Sequence, residues 1–147
     1  LTIIHVTHDQ YEAMGLAHRI AVMRQGKIVQ QGEPEKIYRY PCNQFVANFI
    51  GKINIVDSDF ISNIGGHEEM GRKKQKNAIS DNKKHFVRPE EIQLDIKEGL
   101  VKGHIVERRY LGNLIEYKLK ADDQMLIAQT DPGKEYQVND EVYIDFI

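Results

Sequence analysis

The chain has 147 residues, of which 41% are hydrophobic and 29% charged, and it carries a formal net charge of -2 at pH 7. This composition is typical of a globular protein and excludes a fibrous chain or one that is disordered throughout. The length allows one ordinary domain or two small units, and the near-neutral charge gives no global electrostatic reason to expect nucleic acid or anionic lipid as a partner.

The first residues predict a strand followed by a helix. Residues 1–6 are mostly apolar and β-branched, which is the pattern of a strand buried on both faces, and we expect its sheet to come mainly from residues upstream. Thr7 and Gln10 have the spacing of a capping box. The helix is therefore predicted to begin near His8 or Asp9.

A β-hairpin and two short helices are predicted next. Residues 19–23 and 28–30 are strand-like and flank a turn in which Gly26 supplies the permissive backbone. Pro34 lies in the first turn of the first helix. The second helix, 43–49, is predicted to place three apolar side chains toward the core: Phe45, Val46 and Phe49.

A second unit is predicted beyond residue 52. Its stretch at about 63–84 is basic and contains several glycines, which predicts a flexible loop. Strand-like stretches separated by turn signals follow at 85–88, 103–109, 114–120, 124–129 and 141–147. Short strands with such punctuation predict a small barrel of the OB type. We therefore divide the chain into 1–52 and 53–147.

His8 is the strongest candidate for a functional residue. It lies where a predicted buried strand gives way to a helix, and ligands of α/β sheets bind at the carboxyl ends of strands. An imidazole there can donate a hydrogen bond to a phosphate oxygen. The neighbouring Asp9 either belongs to the same site or caps the helix. His5 points to the opposite face of the predicted strand, which argues against a metal shared with His8.

The single cysteine, Cys42, has no partner for an internal disulfide, which fits a reducing compartment. We predict that it is a small buried side chain rather than a reactive thiol.

Two segments resemble one family. Residues 4–13 read Ile-His-Val-Thr-His-Asp-Gln-Tyr-Glu-Ala and resemble the switch-histidine segment of ABC-transporter ATPases. The similarity runs on to Phe49-Ile50-Gly51 in the order found in the importer subfamily serving maltose, spermidine and putrescine, ferric iron and sulfate. Residues 86–92, Phe-Val-Arg-Pro-Glu-Glu-Ile, resemble the Val-Arg-Pro-Glu segment of the OB-like (TOBE) domain of that subfamily. His18 departs from it, since Asp usually precedes the arginine at that place.

The resemblance implies an α/β remnant of an ABC ATPase domain in 1–52, followed by an all-β OB-like (TOBE) barrel in 53–147. His8 would be the switch histidine, a catalytic and nucleotide-contacting residue that reaches the γ-phosphate of ATP. ATP and Mg²⁺ are the cofactors that the resemblance implies for the parent subunit. The barrel would serve dimerisation or regulation.

The resemblance also implies where such a subunit works. It would be cytoplasmic and peripheral at the inner face of the cell membrane. Its partners would be a second copy of the ATPase subunit and membrane-spanning permease subunits, with no nucleic acid. The solute is predicted to be a polyamine or ferric iron.

The sequence lacks three parts of an ATPase site. It has no Gly-x-x-x-x-Gly-Lys-Ser/Thr P-loop, no Leu-Ser-Gly-Gly-Gln signature and no apolar strand that ends in Asp-Glu. We therefore expect the fragment to be inactive alone and to bind neither ATP nor Mg²⁺ tightly. The alternative is a stand-alone OB-type module for a small ligand or nucleic acid, although its barrel half is acidic and lacks Trp, which weakens the case for nucleic acid.

Overall fold

A computed structural model describes residues 1–63 and 84–147. The chain forms two compact units, Leu1–Lys52 and Ile53–Ile147. Most of the predicted basic loop, residues 64–83, lies outside the described residues. In the described part of the chain, no helix is long and apolar enough to cross a membrane.

The first unit contains three short helices and one hairpin. The elements are α1 (Gln10–Leu16), β1 (Ile20–Arg24), β2 (Lys27–Gly32), α2 (Pro34–Arg39) and α3 (Gln44–Ile50). β1 and β2 pair in antiparallel orientation through a turn at Gln25 and Gly26, whose φ angles are 50° and 75°. Two successive positive φ angles are what a tight type I′ hairpin needs. The predicted hairpin and the proline in the first turn of α2 are both confirmed.

The core of this unit is small. Val22, Ile37, Val46 and Ile50 form its buried cluster. The prediction for α3 is wrong in one position, because Phe49 is partly exposed and Ile50 is buried. Val46 and Ile50 are four residues apart and share the buried helix face, whereas the ring of Phe49 stacks on that of Phe45, with centroids 5.7 Å apart.

The predicted first strand does not form. Residues 1–7 carry no regular secondary structure, and the exposed fractions of Ile4 and Val6 are 90% and 92%. A strand needs a neighbour to satisfy its backbone groups, and no strand of the described residues pairs with this segment. The assignment of the first unit to an α/β ATPase domain therefore stays a prediction.

Cys42 is exposed, so the prediction that it is buried is wrong. The side chain of Gln30 accounts for this. Its Nε2 donates to the carbonyl oxygen of Tyr40 at 2.9 Å, and its Oε1 accepts from the backbone N–H of Cys42 at 2.7 Å. These two bonds hold the chain around Pro41 beside β2 and leave the thiol at the surface.

The second unit is mostly β. It contains β3 (Asn54–Asp57), α4 (Ser58–Asn63), β4 (Lys84–Val87), a 3₁₀ turn (Pro89–Glu91), β5 (Ile92–Asp95), β6 (Val101–Tyr110), β7 (Ile115–Ala121), β8 (Gln124–Thr130) and β9 (Glu141–Phe146). β3 pairs with β4, and the other five strands form one antiparallel sheet in the order β5-β9-β6-β7-β8. The end strands β5 and β8 contact each other, so the sheet curls toward a half-barrel. This architecture agrees with the predicted OB-like barrel.

Three strands of the second unit differ from the prediction, and the helix α4 is not predicted either. β3 and β5 are not predicted by the sequence pattern, and the predicted barrel strand at 85–88 pairs with β3 in a separate two-stranded sheet instead. All three strands have four residues. An alternation of period two is hard to recognise over so short a run.

The concave side of the sheet holds the core. Along β7, Ile115, Tyr117 and Leu119 are buried while Lys118 and Lys120 are exposed, as strand alternation requires. The buried hydroxyl of Tyr117 accepts from the backbone N–H of Tyr136 at 3.1 Å.

Tyr136 is buried in the same core. Its hydroxyl donates to the carbonyl oxygen of Leu94 at 2.7 Å, and burial raises the pKa of this hydroxyl. The two tyrosine rings meet edge to face, with centroids 5.6 Å apart, a favourable aromatic arrangement.

Candidate functional site

The loop that precedes α1 carries His8. Asp9 is the N-cap of α1, and its Oδ1 accepts from the backbone N–H of Glu12 at 3.0 Å. The predicted capping box of Thr7 and Gln10 is therefore wrong. Thr7 bonds within the loop before the helix instead, since its Oγ1 accepts from the backbone N–H of Asp9 at 3.0 Å. The two bonds fix the backbone on both sides of His8.

The carboxylate of Glu12 ties the same loop to the first turn of α1. A hydrogen bond with the Thr7 side chain is the largest cause that lowers the pKa of Glu12, followed by a hydrogen bond with His5. The distance from Glu12 Oε2 to His5 Nε2 is 3.1 Å. A depressed pKa means that these partners favour the ionised carboxylate. Glu12, in the first turn of α1, is therefore tied to Thr7 and His5, which precede His8.

His8 differs from its neighbours because it is exposed and takes no part in this bracing. Within the described residues, no hydrogen bond to its ring is formed. A neutral imidazole can donate one hydrogen bond to an anionic oxygen. One positioned donor stabilises charge on a phosphoryl group but supplies neither a nucleophile nor a metal site.

The other histidines near this loop do not join His8. His5 is paired with Glu12, and His18 is exposed beyond the end of α1. No group of three or more His, Cys, Asp or Glu side chains in the described ranges 1–63 and 84–147 is placed to hold a metal ion. His8 is thus exposed as a single donor, and its contact to a nucleotide phosphate stays a prediction.

The segment 86–92 in the second unit has a different character. Arg88 and Pro89 are buried, and the backbone N–H of Arg88 donates to Glu91 Oε2 at 2.7 Å. The carbonyl oxygen of Glu91 accepts from the backbone N–H of Ile147 at 2.9 Å. This segment is a partly buried turn that is hydrogen-bonded to Ile147. It is not an exposed binding loop.

The outer face of the sheet carries a charged network that the sequence analysis did not predict. Lys118 Nζ lies 3.1 Å from Glu107 Oε1, and this hydrogen bond lowers the pKa of Glu107. Glu116 is buried on the same face and accepts from Gln129 Nε2 at 3.0 Å. Strand alternation could have shown that Glu107 and Lys118 face outward, but only the bulge between Ile105 and Glu107 makes them cross-strand partners.

This network borders a shallow cavity of about 150 Å³ lined by Glu107, Arg109, Glu116, Tyr117, Lys118 and Ile127. Its two acids and two bases offset one another, so the cavity has no strong preference for an anion or a cation. It is a weaker candidate for a functional site than the loop at His8.

Comparison with known proteins gives two results. Residues 86–146 match the family model described as TOBE domain. The chain is also similar to proteins named spermidine/putrescine import ATP-binding protein PotA. The similarity to the protein from Mesomycoplasma hyopneumoniae strain 232 is 36% identity over 148 residues, covering 98% of this chain and 33% of the relative.

Relatives from two other bacteria align with this chain over its full length. The protein from Hahella chejuensis is 29% identical over 167 residues, covering 100% of this chain and 46% of the relative. The protein from Vibrio cholerae is 32% identical over 166 residues, covering 100% and 44%. The chain thus spans a third to less than half of the length of these relatives.

Proposed function

Because residues 86–146 match the TOBE domain and the whole chain is similar to import ATP-binding proteins, we propose that it is the C-terminal part of the ATP-binding subunit of an ABC importer. In this proposal residues 1–52 are a piece of the nucleotide-binding domain, and residues 53–147 form the accessory TOBE domain. The whole subunit couples ATP binding and hydrolysis to solute uptake.

The structural observation that supports a role for His8 in this proposal is the geometry of its loop. Its backbone is fixed by the side chains of Thr7, Asp9 and Glu12, while the imidazole stays exposed. We assign to His8 the role of the switch histidine, which donates a hydrogen bond to the γ-phosphate. ATP with Mg²⁺ supplies the phosphoryl group when it is bound to the parent subunit, and this chain contributes one preorganised donor.

A polyamine is the proposed solute. The relatives named above are described as spermidine/putrescine import proteins, and those names support a polyamine over ferric iron. The TOBE unit is proposed to strengthen the subunit dimer or to tune its opening. The subunit would work at the cytoplasmic face of the membrane with a second copy of itself and two permease subunits.

The test uses the ATP-binding subunit that carries this chain, reconstituted with its permease subunits in liposomes. Spermidine uptake and ATP hydrolysis are measured for the wild type and for His8→Ala. Loss of a single positioned donor is expected to lower the hydrolysis rate on the order of a hundredfold. Binding of ATP, measured with a fluorescent analogue, should change little, because His8 is one contact among many.

A matched control is His104→Ala, since His104 is an exposed histidine of β6. Its hydrolysis rate should equal that of the wild type. Equal losses in the two variants would contradict the role of His8. Salt-dependent binding of the 147-residue chain to a single-stranded oligonucleotide would instead favour an OB-type nucleic-acid module.

A further inference from the structure

One buried amide of the second unit bonds to a strand as a neighbouring strand would. Asn54 is 4% exposed. Its Oδ1 accepts from the backbone N–H of Ile127 at 2.7 Å, and its Nδ2 donates to the carbonyl oxygen of Ile127 at 2.8 Å. A single side chain thereby satisfies both backbone groups of one residue that is 73 positions away in sequence.

Ile127 lies on β8, a strand at the end of the five-stranded sheet. β8 is the last strand in the order of the five-stranded sheet and pairs with β7 on one side. In an antiparallel pair, successive residues alternate between bonding to the neighbour and facing away from it. Because Asn54 takes both backbone groups of Ile127, these groups face the outer edge of β8. An edge with free backbone groups is a template for unwanted strand pairing.

A second contact joins the same two strands but leaves the backbone of β8 untouched. Gln124 Nε2 donates to Asp57 Oδ2 at 3.0 Å. Asn54 and Asp57 lie at the two ends of β3, and their partners lie three residues apart on β8. The side-chain pair aligns the strands, whereas only Asn54 occupies backbone groups at the edge.

We propose that Asn54 is a latch that takes the place of a neighbouring strand at the outer edge of β8 and thereby protects the backbone groups of Ile127 there. A buried backbone group that loses its partner is costly. The latch needs a donor and an acceptor on one short side chain. Aspartate lacks the donor and leucine lacks both, while the side chain of Ile127 plays no part. The inference is independent of the proposed transport function.

Hydrogen exchange followed by NMR tests the latch in the 147-residue chain. In Asn54→Leu, the backbone amide of Ile127 is expected to exchange roughly tenfold faster or more. The amides of Leu126 and Ala128 face β7 and should keep their exchange rates. Gln93→Leu likewise replaces a side-chain amide by leucine, at an exposed site of β5, and should leave Ile127 unaffected.

Hydrogen exchange of the wild-type chain tests the latch without requiring that a variant folds. The side-chain amide protons of Asn54 and the backbone amide of Ile127 should be protected together, and both should exchange through a local opening with little dependence on denaturant. Unprotected Asn54 amide protons would overturn the proposal. So would equal acceleration of Ile127, Leu126 and Ala128 in Asn54→Leu, because that result would mean global destabilisation rather than a latch.

Discussion

The two units of this chain are organised by different forces. Among the described residues, the buried cluster of the first unit has four members, whereas that of the second unit has eighteen. Apolar burial contributes in rough proportion to the area removed from water. The second unit therefore has a core that can hold it together, and the first unit relies far more on local hydrogen bonds.

The contrast also appears in how polar side chains are used. In the first unit, Thr7, Asp9 and Glu12 brace one exposed loop through bonds between residues close in sequence. In the second unit, Tyr136 bonds to a carbonyl 42 residues away and is buried. Local bonds can shape a loop without a core, but long-range bonds need the fold to be in place first. The candidate functional residue, His8, lies in the region organised locally.

The largest expected effect is a core substitution in the second unit. Leu126 is 0% exposed, whereas the adjacent Met125 is 46% exposed. Leu126→Ala is expected to lower the free energy of unfolding by about 3 kcal/mol, because it removes buried methyl groups and leaves a cavity. Met125→Ala should cost well under half as much. Urea unfolding followed by tyrosine fluorescence measures both, and similar costs would contradict the assigned core.

A smaller effect is expected at a helix cap of the first unit. Asn43 caps α3, with its Oδ1 accepting from the backbone N–H of Val46 at 2.9 Å. Asn43→Ala is expected to destabilise this unit by about 1 kcal/mol. Gln44→Ala is the control, since Gln44 is exposed in the first turn. Amide exchange of Val46 and Ala47 reports the loss, and unchanged exchange in Asn43→Ala would rule out a capping role.

The sequence predicts local elements better than their assembly. The hairpin at Gly26 and the barrel strands β6 to β9 carry strong signals, because a turn with positive φ or a long alternating run depends on neighbouring residues alone. β3 and β5 are too short for such a signal. Residues 1–6 carry the apolar pattern of a strand, but the prediction is wrong, since no strand of the described residues pairs with them.

The same limit applies to the candidate site. His8 stands out from its place between an apolar run and a helix, and the structure shows it exposed there. One of the two interpretations of Asp9, the helix cap, is confirmed, but the bonds of Glu12 with Thr7 and His5 could not be predicted. Each bond depends on side-chain directions that spacing alone does not determine. The catalytic role of His8 stays a prediction.

The smallest expected effect is a shift in the pKa of one exposed carboxyl group. The hydrogen bond with Thr7 is the largest cause that lowers the pKa of Glu12, so Thr7→Val is expected to move this pKa up toward its ordinary value. Because the folded pKa is depressed, the bracing is complete above the ordinary glutamate pKa and is lost as the pH falls through the lowered value. A carboxyl-detected NMR titration measures the shift. Thr2→Val makes the same change at an exposed threonine and should leave the pKa of Glu12 in place. An unchanged pKa in Thr7→Val would contradict the hydrogen bond between Thr7 and Glu12.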